Sequence, residues 1–130
     1  MNKRIWLIPV LIVAINALTV IVRWSSLPEL LPAHYDLQGN ASGVMSRSVL
    51  LLYPLISSVF SLIAYVVARI KRRLQIGLVV LSSGISLILL SSTMVTLTSG
   101  TMPVFMLAEP VILLLALTGF IVSVVKSRKR

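Results

Sequence analysis

Cysteine is absent from this chain, and carboxylates are almost absent: three acidic residues stand against twelve basic ones in 130 residues. No disulfide framework and no thiol chemistry are available to it. One histidine, His34, and three carboxylates, Glu29, Asp36 and Glu109, are too few for the His- and Cys-rich ligand sets that zinc requires. We therefore expect no metal and no cofactor. No serine elbow, phosphate-binding glycine loop or nucleophile–base pair is present either, so we expect no enzyme.

What the chain has in excess is apolar surface. Hydrophobic residues make up 58% of it and the mean hydropathy is +1.05, well above the roughly 45–50% apolar content of soluble domains. Four long apolar runs predict transmembrane helices over about 5–23, 48–68, 76–98 and 104–125. Each run is long enough for a hydrocarbon layer of about 30 Å. The first run is longer than the apolar core of a signal peptide, usually about 7–15 residues, so we read it as a retained span. Trp6 and Trp24 stand near its two ends, where indole rings favour the headgroup boundary. The expected fold is all-α: an integral membrane four-helix bundle forming a single domain over 1–130.

The net charge of +9 is concentrated in Lys3/Arg4, Arg69–Arg73 and Lys126–Arg130. Basic clusters that each flank an apolar run fit the positive-inside pattern rather than nucleic-acid binding, and contact with anionic membrane lipids follows. Both termini are expected in the cytoplasm of a multi-pass membrane protein, with segment 24–47 outside.

Small residues predict how the helices meet. Ser57, Ser61, Ala64 and Ala68 form one small-residue face on the second span. Gly77, Gly84, Ser91 and Thr98 recur every seven residues on the third, the pattern of a slowly drifting packing seam. Gly119 and Ser123 add a further small pair on the fourth. Asn16 is expected to hydrogen-bond a neighbouring helix. Pro54 and Pro110 should bend the outer ends of the second and fourth spans.

Polarity gathers in Leu27–Arg47, LPELLPAHYDLQGNASGVMSR, which holds His34, Glu29 and Asp36. Pro28 and Pro32 forbid a regular helix at its start. The run from Gln38 to Gly43 is turn chemistry, and Ala33–Leu37 suits a short extended segment. We expect an ordered extracytoplasmic loop clamped over the bundle. Glu109 lies five residues past Val104, inside the fourth span, where an unpaired carboxylate costs about 2–3 kcal/mol or more. It should pair with Arg47, Arg23 or His34, or else serve a proton, cation or ligand.

The segment Leu31-Pro32-Ala33-His34-Tyr35-Asp36, with Gly39 and Ser46-Arg47 leading into Tyr53-Pro54, resembles the N-terminal domain of SdpI-type immunity proteins. Ser42 stands where that family more usually has an acidic residue. The resemblance implies a bacterial cell-membrane protein acting in protection against secreted toxic peptides or in related envelope sensing. It places ligand or partner binding on His34, Tyr35, Asp36, Gly39 and Arg47, to which the residue chemistry adds Glu109. The expected partners are membrane lipids, a toxic peptide or partner membrane protein, and a second copy of the chain. The competing expectation is a small transporter or transporter subunit that uses Glu109.

Overall fold

Apolar runs of this length in lipid must satisfy their backbone internally, and helices do so. The computed structural model describes residues 2–35, 40–97 and 103–128, with the side chains of 32–35, 41–42 and 103–106 outside that description. The helices are α1 (Leu7–Arg23), α2 (Val49–Ile70), α3 (Gln75–Leu97) and α4 (Pro103–Arg128). Each is long and apolar enough to cross a membrane. Short 3₁₀ turns at Lys3–Trp6, Trp24–Ser26 and Arg72–Leu74 lead into or out of them. The alternating spans bring Lys3, Arg4, Arg69–Arg73, Lys126 and Arg128 to one end of the bundle. Gln75 donates a 2.8 Å hydrogen bond to the Asn2 carbonyl there, tying the start of α3 to the start of the chain.

At the centre of the bundle is α3, which packs on α1, α2 and α4. Its sequence explains this position. Two residues of helix turn the side-chain direction by about 200°, so Gly77, Gly84 and Ser91 lie nearly opposite Val79, Ser82, Ser86 and Thr93. The glycine face takes α4. A Cβ added at Gly77 would stand 3.0 Å from the Phe120 ring and 3.3 Å from Ser123. One added at Gly84 would enter the van der Waals envelope of the Ala116 methyl. In return, α4 brings Gly119 against Val80. Thr98, the last member of the heptad stripe, is outside the described residues.

The opposite face of α3 takes α1 and α2. Ala64 and Ala68 of α2 are buried with Trp6, Leu78 and Val79, and Ser57 is also buried, so the small-residue face of α2 is a packing face. Asn16, fully buried on α1, accepts a 2.8 Å hydrogen bond from the Thr93 hydroxyl on α3. The expectation of an interhelical bond at Asn16 holds. Both α2 and α4 continue as helix through Pro54 and Pro110. Around Pro54, the Ser57 and Ser58 hydroxyls donate to the carbonyls of Tyr53 and Pro54, at 2.9 and 2.8 Å.

Segment 24–47 departs most from the sequence expectation. In place of one short extended stretch it forms an antiparallel hairpin, β1 (Leu30–Tyr35) with β2 (Ala41–Ser46). Leu30 pairs with Ser46, Pro32 with Val44, His34 with Ser42 and Tyr35 with Ala41. The reason lies in the prolines, which read as strand breakers until the register is known. Gly43 has φ 71°, a left-handed backbone that a residue with a Cβ adopts only with strain.

Candidate functional site

The hairpin is seated on the bundle by apolar contacts. Leu27 and Leu31 are buried with Val20 of α1 and Leu50 of α2, while Trp24, Met45, Tyr53 and Leu97 close around them. Burying a leucine is worth about 1.5–3 kcal/mol, so two of them fix one face of the loop to the ends of three helices remote from the basic clusters. Leu30 and Val44, by contrast, are 66% and 69% exposed.

Arg47 locks the base of the hairpin. Its backbone N–H donates to the Glu29 carbonyl at 2.9 Å. Its guanidinium donates to the carbonyls of Trp24 and Leu27, at 3.3 and 3.1 Å, and lies 4.7 Å over the Trp24 ring. Both bonds come from Nη1, and the planar, delocalised cation adds the stack on Trp24, which an ammonium makes less well. The residue read as a partner for Glu109 therefore closes the loop onto the end of α1. Arg23 stays at the surface, where its Nε lies 3.4 Å from the Ser26 hydroxyl.

Glu109 finds another partner. It sits six residues into α4, about 9 Å along the axis, and its Oε1 accepts a 2.8 Å hydrogen bond from Ser92 on α3. The serine is the residue that sequence reading missed, because nothing distinguishes Ser92 from its many neighbours on α3 without a structure. Glu109 thus marks the α3–α4 contact remote from the basic clusters and has a partner other than Arg47.

His34 and Tyr35 occupy the far end of β1, opposite Ser42 and Ala41. Asp36 and Gly39, the other two residues expected to bind a ligand, lie outside the described residues. The hairpin therefore brings His34 and Tyr35 to its distal end, while Arg47 stands at its base and Glu109 on α4.

The register gives the two edges of the hairpin different chemistry. The Arg47–Glu29 bond marks a hydrogen-bonded pair, and in an antiparallel ladder such pairs alternate with non-bonded ones. Pro32 and Val44 consequently form a non-bonded pair whose backbone groups point away from the ladder, as do Leu30 and Ser46. On β1 that outer edge carries Pro32, which has no N–H, between Leu30 and His34, and β1 lies against α3. On β2 the outer edge keeps the donors and acceptors of Val44 and Ser46. The β1 edge is interrupted at Pro32, and the β2 edge has no proline.

Comparison with known proteins bears on this same region. A family model described as "Domain of unknown function (DUF1648)" matches residues 10–57, which run from α1 through the hairpin to Ser57 of α2. No curated protein matches the chain. No solved structure matches it.

Proposed function

We propose that this is a bacterial membrane protein of the SdpI-like type, with a toxin-immunity or envelope-sensing role exercised through the outer hairpin. The observation that carries the reading is a clamped hairpin with one open edge. Its base is fixed by Arg47, its inner face is fixed by Leu27 and Leu31, and the outward backbone groups of Val44 and Ser46 on β2 have no partner among the described residues. An extended peptide recognises such an edge by adding a strand, drawing affinity from main-chain hydrogen bonds and specificity from nearby side chains. His34, Tyr35 and Asp36 are the residues we assign to that specificity. Recognition, not catalysis, is the activity. Transport through Glu109 is the weaker alternative, since the bond from Ser92 gives that carboxylate a structural role.

The test is survival of a sensitive bacterium that expresses the chain while exposed to a secreted toxic peptide. His34→Ala and Asp36→Ala are expected to keep wild-type membrane levels and to lose protection by at least about tenfold, the factor set by about 1.4 kcal/mol of lost binding. Normal expression with full protection would move the site away from the hairpin and towards Glu109. Loss of expression in both variants would make the segment a structural clamp only.

A further inference from the structure

At the basic end of the bundle, α1 and α2 meet where Trp6 packs edge to face on Tyr65, ring centroids 5.4 Å apart. A cleft of about 370 Å³ opens between them, lined by Trp6, Pro9 and Val13 on one side and Ser58, Ser61 and Tyr65 on the other. A second hollow of about 580 Å³ shares Leu62 and Tyr65 with the first and runs on to Arg69 and Ile70. Together they form one groove along α2. From Ser58 to Arg69 it extends eleven residues, about 16 Å along the helix axis. That length matches half of a hydrocarbon layer about 30 Å thick, the span of one leaflet.

The groove is apolar along its length and cationic at its mouth. Arg69 ends it, and Lys3, Arg4, Lys71 and Arg72 are exposed around the same end of the bundle. Of the carboxylates among the described residues, Glu29 and Glu109 both belong to the opposite half of the bundle. Within the groove wall, Trp6 Nε1 and Ser61 Oγ are buried without a hydrogen-bond partner among the described residues. Ser57 and Ser58, on the same helix as Ser61, do donate to backbone carbonyls. Trp6 packs at the level of Ala64 and Ala68, about one turn from Arg69.

From this we infer that the α1–α2 groove is a binding site for an anionic phospholipid, one acyl chain lying along Val13, Ser58 and Leu62 and the phosphate held by Arg69. Basic pockets between transmembrane helices recognise anionic headgroups in this way. The site is separate from the outer hairpin, and neither depends on the other.

Fluorescence quenching tests it. The chain has two tryptophans, so Trp24→Phe leaves Trp6 as the only indole, inside the groove. This protein is reconstituted in vesicles containing phosphatidylglycerol or phosphatidylcholine brominated at mid-chain, and quenching of Trp6 is measured as each lipid displaces its unlabelled counterpart. Phosphatidylglycerol should bind about fivefold more strongly than phosphatidylcholine, the factor expected for one cation at a membrane surface. Adding Arg69→Ala should remove most of that ratio, while Arg128→Ala, on α4, should leave it unchanged. Equal quenching by both lipids would overturn the site. So would a preference that Arg69→Ala leaves intact, or that Arg128→Ala abolishes equally, since either means diffuse attraction with no groove involved.

Discussion

Gly84→Ala is expected to separate α3 from α4. The added methyl would overlap the Ala116 side chain, and both atoms belong to stiff helices, leaving no flexible side-chain end to yield. Overpacking of this kind costs about 1–3 kcal/mol, and a larger side chain at Gly84 should cost more. In lipid there is no hydrophobic drive between helices, so close approach of backbones is what holds such a pair. Most of the surface of α4 faces away from the protein, with Leu114, Leu115 and Ile121 each more than half exposed. Its main anchorage is the α3 seam. The check is a denaturant titration of the purified protein: Gly84→Ala should lower the midpoint, and Ala116→Gly in the same chain should restore more than half of the loss. Failure of that rescue would mean that the two residues do not meet.

Arg47→Ala is expected to loosen the hairpin while leaving the helices inserted. The substitution removes two hydrogen bonds from a cationic donor and the stack on Trp24. Such bonds contribute about 1.5–3 kcal/mol and the stack about 0.5–1. After discounting for the partial exposure of Arg47, about 2 kcal/mol of local stability should be lost, or about thirtyfold in the exchange rate of the hairpin amides. Arg47→Lys should recover only part of this, because an ammonium lacks the planar face that stacks on Trp24. Glu109→Gln should be mild, since the amide keeps an oxygen for Ser92. The effects of Arg47→Ala and Glu109→Gln should add, because the two residues have separate partners. A double variant clearly less damaged than the sum would restore the direct Glu109–Arg47 pair that charge alone suggests.

The helices were legible because their signals are redundant. Four long apolar runs, basic residues at their ends and small residues at helical spacing all point the same way. The α4-facing side of α3 follows from the seven-residue spacing of Gly77 and Gly84 and is packed as that spacing implies, whereas the opposite side with Ser82 and Ser86 emerged only with the structure. The hairpin was not legible, because its signals conflict. Pro28 and Pro32 argue against a strand, and only the pairing of Pro32 with Val44 shows that a missing N–H costs the ladder nothing there. Arg47 was misdirected for a different reason: a lone cation suggests a carboxylate, whereas the backbone carbonyls of Trp24 and Leu27 leave no mark on the sequence. Glu109 was recognised as needing a partner, but Ser92 could not be chosen among the serines of α3. Of the residues assigned to recognition, His34 and Tyr35 fall on β1, while Asp36 and Gly39 lie outside the described residues.

The open edge of β2 is the feature on which the functional reading turns, and Val44→Pro addresses it alone. The outward N–H of Val44 takes no part in the hairpin ladder, so proline removes a donor that only a bound strand would use. The decisive measurement is protection of a sensitive bacterium by Val44→Pro, with amide exchange of the hairpin recorded on the same protein. Protection should fall by at least about tenfold, the loss of one well-formed hydrogen bond, while exchange of the remaining hairpin amides stays as in the parent chain. Undiminished protection from an intact hairpin would contradict the account.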